Sequence, residues 1–354
     1  LVGFWPANLV LDKKMVTRKV FSILLLSLAL THCGNAPDSP PKGRDANQKT
    51  ALKEDPRIFL SELIEEGAEW QSLVEGLIFT DGVAADSDGN VYFAEVYLNR
   101  IYKVDPEGAA NIFDESTEMS MGLKIGSDGL LYACRNLAGQ IVRYKPDGGY
   151  EVLLEGAVVP VPDEPDKPGE FCNDIAINSA GDIWFTDRIN ERVIYLANDG
   201  SSRTVAEGFR PNGITLSLDE QMLVVTDSRE PQLHAYSIGA DGALTPLPGF
   251  FDPVRMGTSR QGGQPSDRVR PGTNGMAVDS EGRFYLTSFY GIQVFDQQGR
   301  YLGLLAYPKG LYFVSNVDFG GTDYHWLYAS GRGGIVRIKM KSHGTGWQIT
   351  EPTS

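Results

Sequence analysis

The sequence predicts an all-β chain folded as a six-bladed β-propeller, with four antiparallel strands per blade. Three observations predict it. One four-strand unit recurs six times, the recurrence step is close to 40 residues with two longer excursions, and turn-forming pairs such as Asp-Gly separate the first two strands of most units.

Each unit begins with a small polar residue, usually followed by Gly and an apolar run. The starts are Thr80-Asp81-Gly82, Ser120-Met121-Gly122, Cys172-Asn173-Asp174, Pro211-Asn212-Gly213, Thr273-Asn274-Gly275 and Ser315-Asn316-Val317. The steps between their second residues are 40, 52, 39, 62 and 42. A turn follows each start, as in Asp88-Gly89, Asp128-Gly129 and Glu281-Gly282, and supplies the positive φ that a tight hairpin needs. Second strands rich in aromatic and β-branched residues come next, such as Val91-Tyr92-Phe93-Ala94 and Ile183-Trp184-Phe185-Thr186. Several third strands alternate apolar with polar residues, as does Gln232-Leu233-His234-Ala235 in Gln232–Tyr236. Short fourth strands close most units, for instance Arg203-Thr204-Val205-Ala206. The sixth unit lacks one. Residues 70–76 resemble the missing strand and are expected to close the ring, with Gly346-Trp347-Gln348-Ile349 as the rival. Closure removes open sheet edges.

The export features lie upstream. Residues 1–14 read as an over-extended start before Met15. Arg18 and Lys19 then precede an apolar run from Val20 to Leu30, which suits a signal peptide and is too short to span a bilayer. Leu30-Thr31-His32-Cys33 resembles a bacterial lipobox, with plain secretion as the alternative. The chain is therefore expected to be exported, to the periplasm or the cell surface, and held to the membrane only by a lipid on Cys33. Residues 34–56 read as a tether, 57–345 as the propeller and 346–354 as a tail or closing strand. The formal net charge of −14 repels phosphate backbones, so no nucleic-acid partner is expected. Cys134 and Cys172 either form a disulfide or stay as buried thiols.

The first strand of each blade lines the channel of a propeller. Asp81, Met121, Asn173, Asn212, Asn274 and Asn316 are therefore expected to converge at one mouth. Four amides and a carboxylate suit a hard divalent cation: oxygen donors without His or Cys favour Ca2+ or Mg2+. The alternative is that each Asn simply caps its own turn.

At this point the chain resembles the senescence marker protein/gluconolactonase family, related to diisopropylfluorophosphatase. Phe79-Thr80-Asp81-Gly82, Asn173-Asp174, Arg210-Pro211-Asn212-Gly213-Ile214, Val225-Thr226-Asp227-Ser228, Asn274-Gly275-Met276-Ala277-Val278-Asp279 and Ser315-Asn316-Val317-Asp318 carry the likeness. It implies hydrolysis of a sugar lactone or related ester, with one divalent cation, Ca2+ first and Zn2+ or Mg2+ next. By motif, Asp81, Asn173, Asn212 and Asn274 stand at the ligand positions. Asp81 falls where the family has Glu, and Asn274 where it has an Asp that also serves as base or nucleophile. The site loses a negative charge, which weakens cation binding. Met121 makes the pocket more apolar.

With Asn274 an amide, another base is needed. Asp227 and Asp187 end second strands on the expected mouth side, with Glu95 and Arg135 at the matching places in other blades. Asp227 is the preferred substitute, and Met121, Arg135 and Asn316 are expected to face substrate. The two long steps reflect loops 156–172, rich in acids, and 250–273, with Arg255, Arg260, Arg268 and Arg270. The arginines either meet an acidic sugar or pair with the acidic loop. The competing function is a non-catalytic propeller of NHL type that binds carbohydrate or protein.

Overall fold

The computed structural model describes residues 60–162, 169–261, 264–307, 311 and 313–345. The expected start, signal, lipobox and tether, and the tail with its rival strand, lie outside them.

Six four-stranded antiparallel sheets form the blades. Blade 1 comprises Thr80–Ala85, Val91–Glu95, Arg100–Val104 and Ala110–Asp114. Blade 2 comprises Ser120–Ile125, Leu131–Arg135, Gln140–Tyr144 and Tyr150–Glu155. Blade 3 comprises Ile175–Ile177, Ile183–Asp187, Arg192–Leu196 and Ser202–Glu207. Blade 4 comprises Pro211–Leu216, Met222–Asp227, Leu233–Ile238 and Leu244–Pro246. Blade 5 comprises Met276–Val278, Phe284–Ser288, Gly291–Phe295 and Tyr301–Leu305. Blade 6 supplies Val314–Gly320, Trp326–Gly331 and Gly333–Lys339 from the C-terminal side. Its fourth strand is Gln71–Leu77, paired antiparallel with Gln71 opposite Arg337 and Leu77 opposite Gly333. The strand expected to close the ring therefore does so.

Second strands such as Val91–Glu95 and Ile183–Asp187 are buried along their whole length, because both faces pack on neighbouring blades. Fourth strands such as Tyr150–Glu155 are largely exposed. The apolar core is divided among the blade interfaces: Tyr132, Cys134 and Ile141 of blade 2 pack on Ile183, Phe185 and Ile194 of blade 3. Burying each such side chain contributes roughly 1.5–3 kcal/mol.

Two features go beyond the sequence reading, and one alternative it left open is decided. A short helix, Leu60–Leu63, docks by its carbonyl at Leu63 to the Lys341 amide. The second insertion holds a hairpin, Gly257–Gln261 with Gln264–Arg270, where a loop was expected. Cys134 and Cys172 are disulfide-bonded and join blade 2 to the entry of blade 3.

Candidate functional site

Inner strands are irregular where they enter the blades. Register shifts occur between Asp81 and Val83, Ser120 and Leu123, Pro211 and Ile214, and Val314 and Asn316. Asn173 and Asn274 precede their strands, which start at Ile175 and Met276. Such irregularities re-aim side chains. Blade 2 adds strain: Glu118 and Met119 adopt left-handed φ of 53° and 54°, held by the Met119 amide donating to Asn99 Oδ1 at 2.8 Å.

The glycines that follow the second residues let neighbouring inner strands meet. A Cβ on Gly213 would lie 2.0 Å from the Asn274 carbonyl oxygen, and one on Gly275 2.1 Å from Asn316 Oδ1. Gly here serves close approach more than turning. Blade-to-blade hydrogen bonds fix the ring, with Thr186 Oγ1 donating to the Asn212 carbonyl at 2.6 Å and Ser315 Oγ to that of Thr80 at 2.6 Å.

Around this mouth Asp81, Asn173, Asn274 and Asn316 are buried, and Met121 and Asn212 half-buried. Asp81 Oδ1 accepts the Gly82 amide at 2.9 Å, and Asn316 Oδ1 accepts the Val317 amide at 2.9 Å. Asn173 Nδ2 points at Met121 Sδ, 3.5 Å away. Asn212 Nδ2 reaches Ser228 Oγ at 3.3 Å. Asn212 Oδ1 is buried and has no hydrogen-bond partner among the described residues. Buried carbonyl oxygens are rarely left so. One carboxylate, amide oxygens and an unsatisfied carbonyl form a donor set that fits a hard cation. Among the described residues no group of three or more His, Cys, Asp and Glu forms a rival metal site.

Burial pushes Asp81 up to about 6, with the charge of Glu170 adding to the effect and the Gly82 amide and Asn316 opposing it. Asp174, the residue after Asn173, is pushed up to about 7 by burial and then by Asp81. Its Oδ1 accepts the Ile175 amide at 2.9 Å. Asp174 stands in the Asn173-Asp174 motif, and its one sequence signal as a site residue is that an acid replaces the Gly found at the third position of four other units. Deeper in the channel Lys124 Nζ pairs with Asp318 Oδ2 at 3.0 Å. A cavity of about 100 Å³, lined by Lys124, Asp318, Ile177, Leu216 and Phe319, opens at the far end.

The residues that end second strands turn away from this group. Asp227 Oδ1 accepts the Arg229 amide at 2.8 Å, and Oδ2 lies 3.5 Å from His234 Nε2. Burial raises its pKa, but His234 and the two loop amides outweigh that and hold it below the ordinary value. Arg135, expected to face substrate, is stacked 4.2 Å above the Tyr150 ring centroid and donates to the Ser116 carbonyl at 2.7 Å. Glu95 accepts the Ile78 amide at 3.0 Å, and Asp187 accepts from Arg192 Nε at 2.8 Å. Each of these groups serves its own turn or blade edge. The acidic loop does meet an arginine, but from another source: Glu170 pairs with Arg188, just after the second strand of blade 3. Arg255 stacks on Tyr301 instead. The side chains of Arg260 and Arg268 lie outside the described residues.

Residues 79–331 match the SMP-30/Gluconolactonase/LRE-like region. A gluconolactonase of Zymomonas mobilis is 25% identical over 319 residues, covering 80% of this chain and 85% of that protein. The pentonolactonase XacC of Haloferax volcanii is 27% identical over 254 residues, covering 69% and 78%. Among solved structures, XC5397 from Xanthomonas campestris, described as a gluconolactonase, superposes with a TM-score of 0.64 at 22% identity, covering 79% of this chain and 92% of that one. At that identity it supports the fold.

Proposed function

The chain belongs to the SMP-30/gluconolactonase/LRE-like family, and on that footing we propose that it hydrolyses a sugar lactone or related cyclic ester at the mouth ringed by Asp81 and the four asparagines. Relatives named gluconolactonase and pentonolactonase, aligned over most of both chains, support the reaction class. The observation that carries the site is the orphaned, buried Asn212 Oδ1 in a ring that also holds the buried carboxylate of Asp81.

Asp81, Asn173, Asn212 and Asn274 would hold a divalent cation, Ca2+ first by the hardness of its donors. When bound, such an ion polarises a carbonyl and acidifies water. In the reaction the ring C–O ester bond breaks; water supplies OH to the acyl carbon and, through a proton acceptor, H to the ring oxygen. Asn274 takes no proton at neutral pH, and Asp227 is committed to its turn. Slow turnover is therefore expected. Asn316 and Met121 are the ring positions outside this ligand set and would face substrate.

The amide at 274 favours one second reading, a propeller that binds its ligand without turning it over. Elemental analysis of the purified protein, with D-glucono-δ-lactone hydrolysis measured with and without chelator, separates the two. Bound cation and chelator-sensitive turnover are expected. A metal-free protein without such turnover leaves the binding reading.

The proposed location is outside the cytoplasm, as an exported lipoprotein. The Cys134–Cys172 disulfide supports the location outside the cytoplasm, because such bonds persist in oxidising compartments.

A further inference from the structure

The rim of the mouth has two unlike halves. On blades 5, 6 and 1 it is aromatic: Phe79 lies 5.8 Å from Tyr97 and 6.5 Å from Phe313, and Phe289 lies 5.7 Å from Phe313, centroid to centroid. On blades 3 and 4 it is built of arginines. Arg188 grips Glu170 through both ends of its guanidinium, with Nε 2.9 Å from Oε2. Arg229 NH1 lies 2.6 Å from Glu191 Oε1. Both carboxylates are therefore occupied.

Arg210 stands within the field of all four groups. Its own guanidinium makes no hydrogen bond or ion pair among the described residues, although the side chain is half-buried. The Ser228 amide donates to the Arg210 carbonyl at 2.9 Å, which fixes the backbone two residues before Asn212. Among the described residues of this cluster three guanidiniums stand with two carboxylates, which leaves the cluster one positive charge over. Glu170, one of those carboxylates, also acts on Asp81, which ties the cluster to the ring.

We propose that Arg210 receives a carboxylate carried by the substrate, so that the preferred substrate is a lactone whose ring bears an acidic group. This rests on the lactonase reading above. A guanidinium matches a carboxylate through two parallel hydrogen bonds. One spare positive charge balances one negative charge; a dianionic phosphate would meet Glu170, Glu191 and Asp81 with half its charge uncompensated. The aromatic half gives the sugar ring a surface on which to lie.

The test compares kcat/KM for D-glucono-δ-lactone and D-glucaro-1,4-lactone in the wild type, Arg210→Gln and Arg210→Lys, with D-glucarate binding followed by calorimetry. The wild type is expected to prefer the carboxylate-bearing lactone. Arg210→Gln lowers the ratio of the two kcat/KM values at least tenfold, mostly through KM, and weakens glucarate binding; Arg210→Lys recovers part of both. A wild-type preference for the neutral lactone, or a ratio unmoved in Arg210→Gln, overturns the proposal and leaves the lactonase reading intact. Arg210-dependent glucarate binding without hydrolysis of either lactone keeps the anion site and overturns the lactonase reading. Neither binding nor hydrolysis overturns both.

Discussion

Lys124 Nζ lies 3.0 Å from Asp318 Oδ2, and the contact ties blade 2 to blade 6 past the inner strand of blade 1. It is the one described ion pair formed wholly between inner strands, and it crosses the channel below the ring. Lys124 also draws the Asp174 pKa down against burial. Breaking a fully buried pair costs about 3–5 kcal/mol, but the Lys124 side chain is 29% exposed. Lys124→Met is therefore expected to cost about 1–2 kcal/mol. Urea denaturation measures it. The double change Lys124→Met with Asp318→Leu should recover most of the loss; a double variant weaker than the single would contradict the pairing.

Asn212→Ala separates a ligand from a structural amide. Its Oδ1 bonds to nothing among the described residues and its Nδ2 makes one long contact at 3.3 Å. The cation-free variant should therefore stay within about 1 kcal/mol of the parent. Stabilisation by saturating Ca2+ should shrink by about 1.4 kcal/mol for each tenfold loss of affinity. Melting curves with EDTA and with Ca2+ read both numbers. An unchanged Ca2+ response would remove Asn212 from the proposed ligand set.

Asn274→Asp adds a carboxylate where the ring has an amide. Both cation affinity and kcat are expected to rise, the latter at least tenfold, since a positioned base contributes about 10²–10⁴-fold. Steady-state kinetics on D-glucono-δ-lactone reads the change. No rise in kcat, with tighter Ca2+ binding, would show that the missing acid is not what limits turnover.

The two raised carboxylates give the cation-free protein a definite pH response. Asp81 sits at about 6 and Asp174 at about 7, both above the ordinary 3.8, with burial the main cause. A raised acid holds its proton more tightly when folded. Its stabilisation is complete below the unfolded value and is lost as pH rises through the folded one. In EDTA the protein should therefore be more stable at pH 5 than at pH 8, and Asp81→Asn should flatten the difference. Chemical denaturation at both pH values decides it; a difference that survives Asp81→Asn undiminished would place its origin elsewhere.

Much of the architecture is legible in the chain because each blade repeats the same local chemistry. The six starts, the turns and the closing strand at Gln71–Leu77 all follow from pattern. The ring at the mouth is legible for the same reason, since one position in each unit maps to one place in space. The ends of the second strands are not. Alternation tells which face a residue takes, but Asp227 and Arg135 terminate strands, where the following loop sets the direction. Arg188, Arg210 and Arg229 share no spacing, and Lys124 and Asp318 lie 194 residues apart. Only the closed ring brings such residues together.

That closure joins Gln71 to Arg337 across 266 residues of chain. A ribosome makes the closing strand before every other described strand of the propeller and its partner after all of them. Until Gly333–Lys339 emerges, Gln71–Leu77 has no sheet to join and blade 1 keeps an unguarded flank. Contacts so distant in sequence form slowly. The unfinished propeller is thus the species most prone to aggregate, and substitutions in Gln71–Leu77 should reveal themselves in the yield of folded protein before they do in its activity.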